Sequence, residues 1–330
     1  MSLTDQAFER AYRGAGVLVT GGAGFIGSHL VRRLVDLGAG VRVIDDLSGG
    51  VPRNLPAEGV DLRRASILDV SALREAVDGC RFVFHQAAMV SVPQSVEQPQ
   101  ECFSVNVMGT ERVLRAARDA GVSRVVFAAS AAAYGDEPQL PCREDQLPRC
   151  GSPYAASKVA GEMLCEVYSR CYGLSTVSLR YFNIYGPGQN PDSPYAAVIT
   201  AFAKALGGGA RPTVFGDGRQ TRDFTHVDDV VHANLLAGGC ERPLAGEIMN
   251  IGTSRSIDLL EILECMGRVL GVDSTPTMAP PRPGDVRFSV ADITRARELI
   301  GYEPSVTFDA GIERLLRGAP ARTVAAKKQG

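Results

Sequence analysis

Short apolar runs alternate with longer amphipathic stretches through the first 180 residues of the chain. The apolar runs predict buried strands at residues 17–19, 41–44, 81–84, 124–129 and 175–179. The stretches between them have apolar positions at helical spacing, which predicts helices at residues 25–37, 105–120 and 154–172. Strands and helices that alternate in this way form a parallel sheet with helices on both faces. The predicted fold class is therefore α/β, with a Rossmann-type doubly wound sheet.

Beyond Tyr181 glycine and proline become frequent, which predicts a smaller, loop-rich C-terminal lobe that binds substrate. A further helix is expected at residues 258–270, and the chain is expected to return to the sheet shortly before it. We divide the chain into an NAD-binding Rossmann domain, a substrate-binding lobe and a disordered tail, at residues 1–180 with 223–252, 181–222 with 253–318, and 319–330.

The composition excludes several classes of function. A hydrophobic content of 45%, a charged content of 22% and a net charge of −2 are typical of a soluble domain that binds neither nucleic acid nor membrane. The eight cysteines contain no Cys-x-x-Cys pair, which indicates reduced thiols in a cytoplasmic protein. The four histidines lack metal-ligand spacing, so no metal site is expected.

A glycine-rich turn follows the first predicted strand. Gly21, Gly24 and Gly27 stand three residues apart at the start of a predicted helix. Such a run also arises in ordinary turns, but between a strand and a helix it predicts a loop that binds a pyrophosphate at the helix N-terminus. Asp45 ends the second predicted strand 18 residues after Gly27, where an acidic residue binds the adenosine ribose. Because a carboxylate repels a 2′-phosphate, Asp45 favours NAD over NADP.

Tyr154 and Lys158 place a phenol and an ammonium four residues apart, on one face of a predicted helix. The pair could be an ordinary surface pair, but the other lysines are only Lys204, Lys327 and Lys328, and the remaining basic residues are arginines. A lysine kept in such a chain indicates a requirement for a compact ammonium. Together with the glycine turn, the pair predicts a nicotinamide-dependent enzyme.

With these motifs the chain resembles the extended short-chain dehydrogenase/reductase family, and within it the nucleotide-sugar 4-epimerases. The resemblance covers about residues 15–315. The segments that carry it are Thr20-Gly-Gly-Ala-Gly-Phe-Ile-Gly27, His85-Gln-Ala-Ala88, Asn106, Ala129-Ser130 with Tyr134-Gly135, Ser152-Pro-Tyr-Ala-Ala-Ser-Lys158, Arg180-Tyr-Phe-Asn-Ile-Tyr-Gly-Pro187, Gly216-Asp-Gly218 with Arg222-Asp223, and Arg282-Pro-Gly-Asp285.

The resemblance implies a role for each site residue. Tyr154 would be the acid/base on the sugar 4-hydroxyl, Lys158 would lower the pKa of that phenol, and Ser130 would hydrogen-bond the same oxygen. The implied NAD-binding residues are Gly21, Gly24, Phe25, Ile26, Gly27, Asp45, Asp46, Ser66, Ile67, Ala87, Ala88, Asn106, Tyr154, Lys158 and Tyr181. The implied residues for the UDP-sugar are Ser91, Ser130, Asn183, Ala197, Val198, Val214, Phe215, Arg222, Arg282, Asp285 and Ser289.

The segment after Ser130 narrows the implied reaction. Sugar 4,6-dehydratases of this family have an Asp-Glu pair there and the sugar-acid decarboxylases have a Glu, whereas this chain has Ala131, Ala132 and Ala133. A methyl group can neither remove a C5 proton nor protonate a leaving hydroxide. Oxidation at C4 can then only be reversed, and reversal on the opposite face of a 4-keto sugar is epimerisation.

The resemblance is less specific for the sugar. The family often has an Asp where this chain has Ser66, and a lysine of galactose-type epimerases is replaced around Val90. Ser91 to Ser95 and residues 189–199 look more like N-acetylhexosamine epimerases, and the small Ser289 stands where a tyrosine suits plain hexoses. We therefore expect UDP-N-acetylglucosamine to be a substrate.

Other activities remain open, namely a UDP-glucuronate 4-epimerase, another NAD-linked nucleotide-sugar oxidoreductase, and a non-catalytic dinucleotide sensor or RNA-binding relative. The resemblance also implies a homodimer that pairs through the helices at 105–120 and 154–172. Its expected contact residues are Val113, Leu114, Ala117, Met163, Leu164 and Val167.

Overall fold

A seven-stranded parallel sheet forms the centre of the molecule. The structure is a computed structural model that describes residues 3–136, 138–189, 198–281 and 287–318. Its strands are β1 Gly16–Thr20, β2 Gly40–Asp45, β3 Val60–Arg64, β4 Phe82–His85, β5 Arg124–Ser130, β6 Thr176–Tyr181, β7 Asn183–Tyr185, β8 Thr213–Phe215, β9 Thr221–Arg222, β10 Phe224–His226, β11 Ala245–Ile251, β12 Ile257–Asp258 and β13 Thr277–Ala279. The central sheet has the order β11-β6-β5-β4-β1-β2-β3, so the strand order reverses between β1 and β4. That reversal is the topological switch point at which doubly wound sheets bind nucleotides.

Helices cover both faces of this sheet and continue into the C-terminal part. They are α1 Leu3–Tyr12, α2 Phe25–Asp36, α3 Val70–Val77, α4 Val92–Glu97, α5 Pro99–Phe103, α6 Gly109–Asp119, α7 Pro153–Tyr172, α8 Val198–Gly207, α9 Val227–Gly239, α10 Leu259–Leu270, α11 Thr294–Ile300 and α12 Phe308–Gly318. A π-helical turn at Ser104–Met108 joins α5 to α6. A 3₁₀ turn at Ala131–Tyr134 follows β5 directly. None of the helices among the described residues is long and apolar enough to cross a membrane.

The strands read as apolar runs because both of their faces are buried. In β1, Val17 and Val19 pack into the hydrophobic cluster on one face of the sheet. Leu18, between them, packs into the cluster on the other face together with Val125 and Phe127 of β5. Helix-covered parallel sheets produce this continuous pattern in place of alternation.

A third hydrophobic cluster lies in the C-terminal part of the chain. It includes Ile199, Val214, Ile262, Met266 and Ile312, which come from α8, β8, α10 and α12. Three small two-stranded sheets accompany it, and they pair β10 with β7, β12 with β9 and β13 with β8.

The structure confirms the α/β class, the five predicted strands and the predicted helices within a few residues at each end. Within residues 223–252, β11 pairs with β6 and joins the central sheet, whereas β10 pairs with β7 in a separate small sheet. The sequence analysis missed β3, an edge strand whose sequence Val-Asp-Leu-Arg-Arg has no fully buried residue. It also missed α1. The exact domain boundaries stay a prediction, and the tail at 319–330 lies outside the described residues.

One part of the predicted dimer contact is wrong. Val113, Leu114 and Ala117 are fully buried against the sheet face, so they cannot meet a partner. Met163 and Val167 of α7 are exposed, at 59% and 46%. The helical period places Met163 and Val167 on the outer face of α7. It places Val113, Leu114 and Ala117 on the inner face of α6.

Candidate active site

The glycine turn between β1 and α2 has the close backbone approaches that only glycine allows. A Cβ on Gly27 would lie 2.2 Å from the carbonyl oxygen of Gly21, and one on Gly21 would lie 2.7 Å from the Cα of Ala87. Gly21 has a φ of +67°, which favours glycine. Gly24 caps α2 without a side-chain hydrogen bond, and the first turn of α2 has no acidic residue. The helix N-terminus therefore presents its backbone N–H groups and positive dipole end to an anion.

Asp45 fixes this turn from the end of β2. Its Oδ2 accepts a hydrogen bond from the Ala23 N–H at 2.9 Å, and its Oδ1 accepts one from the Leu47 N–H at 2.8 Å. Burial raises the pKa of the carboxyl, and the two backbone hydrogen bonds oppose that rise. A carboxylate oxygen can accept more than one hydrogen bond, so Asp45 can also bind ribose hydroxyls. Asp46 is exposed, and its Oδ1 accepts from the N–H and the hydroxyl of Ser48 in its own turn.

The other predicted cofactor residues of the first domain follow the carboxyl ends of β3 and β4. The Ser66 Oγ accepts a hydrogen bond from the Leu68 N–H at 3.2 Å. Ile67 is buried, and a Cβ on Gly109 would lie 2.5 Å from its Cδ1. Ala87 and Ala88 lie just after β4, where the Ala87 N–H donates to the Thr20 Oγ1 at 3.2 Å. The fold thus places these residues on the same edge of the sheet as the glycine turn.

Asn106 lies in the π-helical turn and connects the loop after β4 to α7. Its Oδ1 accepts from the Met89 N–H at 2.8 Å, and its Nδ2 donates to the Met89 carbonyl at 3.0 Å. The same Nδ2 donates to the Ser157 Oγ at 2.9 Å, and the Ser157 hydroxyl donates to the Tyr154 carbonyl at 2.7 Å. π-Helical turns are frequent at functional sites. Here the buried amide of Asn106 bonds both the loop after β4, at Met89, and α7, at Ser157.

A buried histidine that the sequence analysis did not single out continues this network. The Thr110 hydroxyl donates to the Asn106 carbonyl, so its oxygen accepts from the Nε2–H of His85 at 2.9 Å. The Nδ1 of His85 then accepts from the Thr20 hydroxyl at 2.7 Å. Burial lowers the pKa of His85 to about 3, with Lys158 as a second cause, so the imidazole is neutral. The motif His85-Gln-Ala-Ala88 was the only sequence signal for this role.

Tyr154 lies at the start of α7, facing the end of β5. A hydrogen bond between the Ser130 hydroxyl and the Tyr154 phenol lowers the pKa of the phenol, but burial has the larger effect and raises it. Ser130 also caps the 3₁₀ turn, because its Oγ accepts from the Ala132 N–H at 3.2 Å. The Ser95 Oγ accepts from the Tyr154 N–H at 3.1 Å and so fixes the start of the helix.

Lys158 is buried one helical turn further along α7. Its Nζ donates to the Ala128 carbonyl at 2.7 Å and lies 5.1 Å from the centre of the Phe127 ring and 5.8 Å from that of Tyr154. Burial lowers the pKa of Lys158 to about 8. The ammonium therefore lies beside the Tyr154 ring in a buried environment, where opposite charges attract more strongly than in water.

Tyr181 ends β6 in a closed network of amides. Its hydroxyl donates to the Asn234 Oδ1 at 3.1 Å and accepts from the Gln86 Nε2 at 3.1 Å. Burial raises its pKa to about 12, so it is a neutral phenol. The structure places Tyr181 at the predicted edge of the sheet, and its role toward the cofactor stays a prediction.

The structure brings three predicted substrate residues close together in the C-terminal lobe. The Asn183 N–H donates to the Asp223 carbonyl at 3.0 Å, next to Arg222. The Ser289 N–H donates to the Thr221 carbonyl at 3.2 Å, on the other side of Arg222. The three residues therefore lie on adjoining backbone segments.

The remaining substrate predictions are more scattered. Val198 begins α8. Val214 is fully buried in the third cluster and Phe215 is partly exposed at the end of β8. Ser91 caps α4, where its Oγ accepts from the Gln94 N–H at 3.1 Å. Ala197, Arg282 and Asp285 lie outside the described residues.

Comparisons with known proteins give the family of the chain. The model of the NAD dependent epimerase/dehydratase family matches residues 17–252. The chain belongs to this family. It is therefore an NAD-dependent enzyme of the epimerase class, and the glycine turn and Asp45 fit the cofactor.

Individual relatives are similar over nearly the whole chain. A UDP-glucose 4-epimerase of Mycolicibacterium smegmatis is 42% identical over 303 residues, which cover 90% of this chain and 96% of the relative. The solved UDP-N-acetylglucosamine 4-epimerase of Methanobrevibacter ruminantium M1, in complex with UDP-N-acetylmuramic acid, superposes with a TM-score of 0.89 at 34% identity and covers 93% of this chain and 98% of its own. The UDP-glucuronic acid 4-epimerase of Bacillus cereus, with UDP-glucuronic acid and NAD, gives a TM-score of 0.83 at 31% identity and covers 92% and 98%.

Proposed function

We propose that the protein interconverts the C4 epimers of a UDP-hexose with NAD, and that its substrates include UDP-N-acetylglucosamine and UDP-N-acetylgalactosamine. The observation that carries the reaction type is the set of side chains around Ser130. Tyr154 is the group there that can move a proton, since Ala131, Ala132 and Ala133 follow Ser130 in the 3₁₀ turn. The relatives, which are named as 4-epimerases of three UDP-sugars, support the same reaction.

Tyr134, at the end of that turn, does not replace the missing acid. The residue is buried, and its hydroxyl donates to the Asn250 Oδ1 at 2.6 Å. Burial also raises the pKa of Tyr134 well above its usual range. A group held neutral and already bonded cannot remove a C5 proton, so elimination has no base within this turn.

The residues of the chain divide the work of epimerisation among themselves. The N-terminus of α2 and Asp45 hold the dinucleotide, which when bound accepts and returns the C4 hydride. Tyr154 takes the proton of the 4-hydroxyl and returns it after the sugar has turned over. Ser130 hydrogen-bonds the same oxygen, and the Lys158 ammonium stabilises the phenolate. Asn183 and Arg222 hold the diphosphate while the sugar turns.

Product analysis tests this function. The purified enzyme is incubated with UDP-glucose, UDP-N-acetylglucosamine and UDP-glucuronate side by side, and the products are identified by NMR. We expect C4 epimers and no dehydrated or decarboxylated product. Tyr154→Phe removes the proton carrier and keeps the ring, so it should reduce turnover at least about 100-fold with UDP-sugar binding retained. A variant with more than a tenth of the wild-type rate would exclude Tyr154 as the acid/base.

The preference for the N-acetyl sugar rests on Ser289. A serine leaves space for an acetamido group that a tyrosine would fill, and Ser289 lies beside Arg222 through its bond to Thr221. Ser289→Tyr should therefore reduce activity on UDP-N-acetylglucosamine far more than activity on UDP-glucose. Equal losses on both sugars would contradict this role. Activity confined to UDP-glucuronate would instead support the alternative of a UDP-glucuronate 4-epimerase.

We also propose that the protein is a cytoplasmic homodimer with the domain division predicted above. The separate hydrophobic cluster of the C-terminal residues supports the division. The exposed apolar residues of α7 support the dimer.

A further inference from the structure

Asp223 is a fully buried carboxylate between β9 and β10, and it follows directly after Arg222. Its Oδ1 accepts from the N–H of Thr253 at 2.8 Å and from the hydroxyl of the same residue at 2.7 Å. Its Oδ2 accepts from the Ser254 N–H at 3.0 Å and from the Ala291 N–H at 3.1 Å. One side chain thus receives four donors from two other segments of the chain.

These bonds join three segments of the chain and add to bonds between them that do not involve Asp223, such as that from the Ser254 hydroxyl to the Ala291 carbonyl at 2.9 Å. The first is residues 221–224, the second is the turn after β11, and the third is residues 289–291. In the turn Ser254 has a φ of +57°, a conformation that costs free energy in a residue with a Cβ and that the bond to Asp223 offsets. A Cβ on Gly252 would lie 2.8 Å from the Asp223 Oδ2, so the backbone of the turn also packs closely on the carboxylate.

The joined segments carry the predicted substrate residues of the C-terminal lobe. The backbone carbonyl of Asp223 binds the Asn183 N–H at 3.0 Å, and Arg222 precedes it. Ser289 lies two residues before Ala291 and is bonded to Thr221. The four hydrogen bonds that the Asp223 carboxylate makes within the described part of the chain go to Thr253, Ser254 and Ala291, so we expect it to act on the predicted substrate residues through the backbone.

We propose that Asp223 is a positioning residue that sets the mutual placement of Asn183, Arg222 and Ser289 for the UDP-sugar. This inference rests on the proposed function. Because an ionised carboxylate accepts hydrogen bonds at both oxygens, it suits four donors, and the bonds to it are stronger than bonds between neutral groups. Asparagine has the same shape but turns an NH₂ group toward two of the donors. The Asp223→Asn variant therefore loses two of the four bonds between the segments and keeps the other two.

The experiment compares Asp223→Asn with Asp229→Asn. Asp229 is a matched control, since it is fully buried and accepts from the Ser305 N–H at 2.8 Å, the Ser305 hydroxyl at 2.9 Å and the Val306 N–H at 3.2 Å. It contacts none of the predicted substrate residues in these bonds. Both variants lose bonds of the same kind, so a merely structural role would lower the melting temperature of both without distinguishing them at the site.

Binding of UDP is measured by calorimetry, and KM and kcat are measured with UDP-N-acetylglucosamine. For Asp223→Asn we expect the Kd of UDP and the KM to rise at least about tenfold, with kcat changed less than about threefold and bound NAD retained. Asp229→Asn should bind UDP as the wild type does. Wild-type UDP affinity in Asp223→Asn, or an equal loss in both variants, would overturn the inference. A wild-type enzyme that binds no UDP would refute the proposed function instead, and this outcome is recognised before any variant is made.

Discussion

At the scale of single residues, opposing effects act on the pKa of the Tyr154 phenol. Burial raises that pKa, and the hydrogen bond from Ser130 lowers it. The Lys158 Nζ lies 5.8 Å from the centre of the Tyr154 ring, and burial lowers the pKa of Lys158 to about 8. A phenol that must act as a base near neutral pH needs both neighbours, because each favours the phenolate.

Ser130→Ala tests this balance through the pH dependence of kcat/KM. The Ser130 hydroxyl stabilises the charged form, so its removal raises the pKa of Tyr154. The acidic limb of the profile, below which the phenol is protonated, should then move to higher pH. The rate in the acidic range should fall more than the rate in the alkaline range. An acidic limb that stays in place while the rate falls uniformly would show that Ser130 orients substrate and does not tune the phenol.

At the scale of elements, the sequence predicted the parts whose signal is local. The strands buried on both faces are continuous apolar runs, and α2 follows a glycine turn whose spacing fixes its start. β3 was missed because it is an edge strand with three charged residues among five. None of its residues is fully buried, so its sequence has no continuous apolar run. α1 was missed because its apolar face is completed by distant residues, as where the Tyr12 hydroxyl donates to the Leu235 carbonyl at 2.7 Å.

The start of α2 gives a direct test at this scale. In Gly27→Ala the new methyl group would lie 2.2 Å from the Gly21 carbonyl oxygen, so the turn must open. We expect the overpacked turn to lower the free energy of unfolding by about 1–3 kcal/mol. The Kd of NAD should rise at least tenfold, which corresponds to about 1.4 kcal/mol of binding free energy. Gly207→Ala is the control, because a Cβ there meets no atom within 4 Å. The NAD content of the purified proteins and their melting temperatures measure both effects, and equal NAD content in the two variants would contradict the placement of the pyrophosphate.

At the scale of the whole molecule, the structure adds connections that a local pattern does not contain. The chain of bonds from Thr20 through His85 and Thr110 to Asn106 joins residues far apart in sequence. Asp223 likewise joins segments that the sequence separates. The Tyr154–Lys158 pair and the glycine turn could be predicted because their members are neighbours in sequence. The buried groups that hold the site together could not, because only the topology brings them into contact.

The oligomeric state is also a property of the whole molecule, and its test uses the exposed face of α7 that holds Met163 and Val167. Met163→Arg places a charge on the exposed face of α7, where a partner would bury it, so it should convert the dimer to a monomer. Val272→Arg is a control at a residue exposed to a similar degree as Val167, at 45%. Light scattering at micromolar concentration should give a dimer for the wild type and for Val272→Arg. A monomeric wild type, or a dimeric Met163→Arg, would exclude this face as the interface.

We propose that the enzyme oxidises and reduces one carbon, C4, and that the 3₁₀ turn after Ser130 holds no base for a neighbouring carbon. The most direct test is the NMR spectrum of the products formed from UDP-N-acetylglucosamine in D₂O, with UDP-glucose and UDP-glucuronate in parallel. We expect the C4 epimer with its original hydrogen at C4 and no deuterium at C3 or C5. Deuterium at C5, a 6-deoxy-4-keto product, or the absence of a C4 epimer from all three sugars would contradict it.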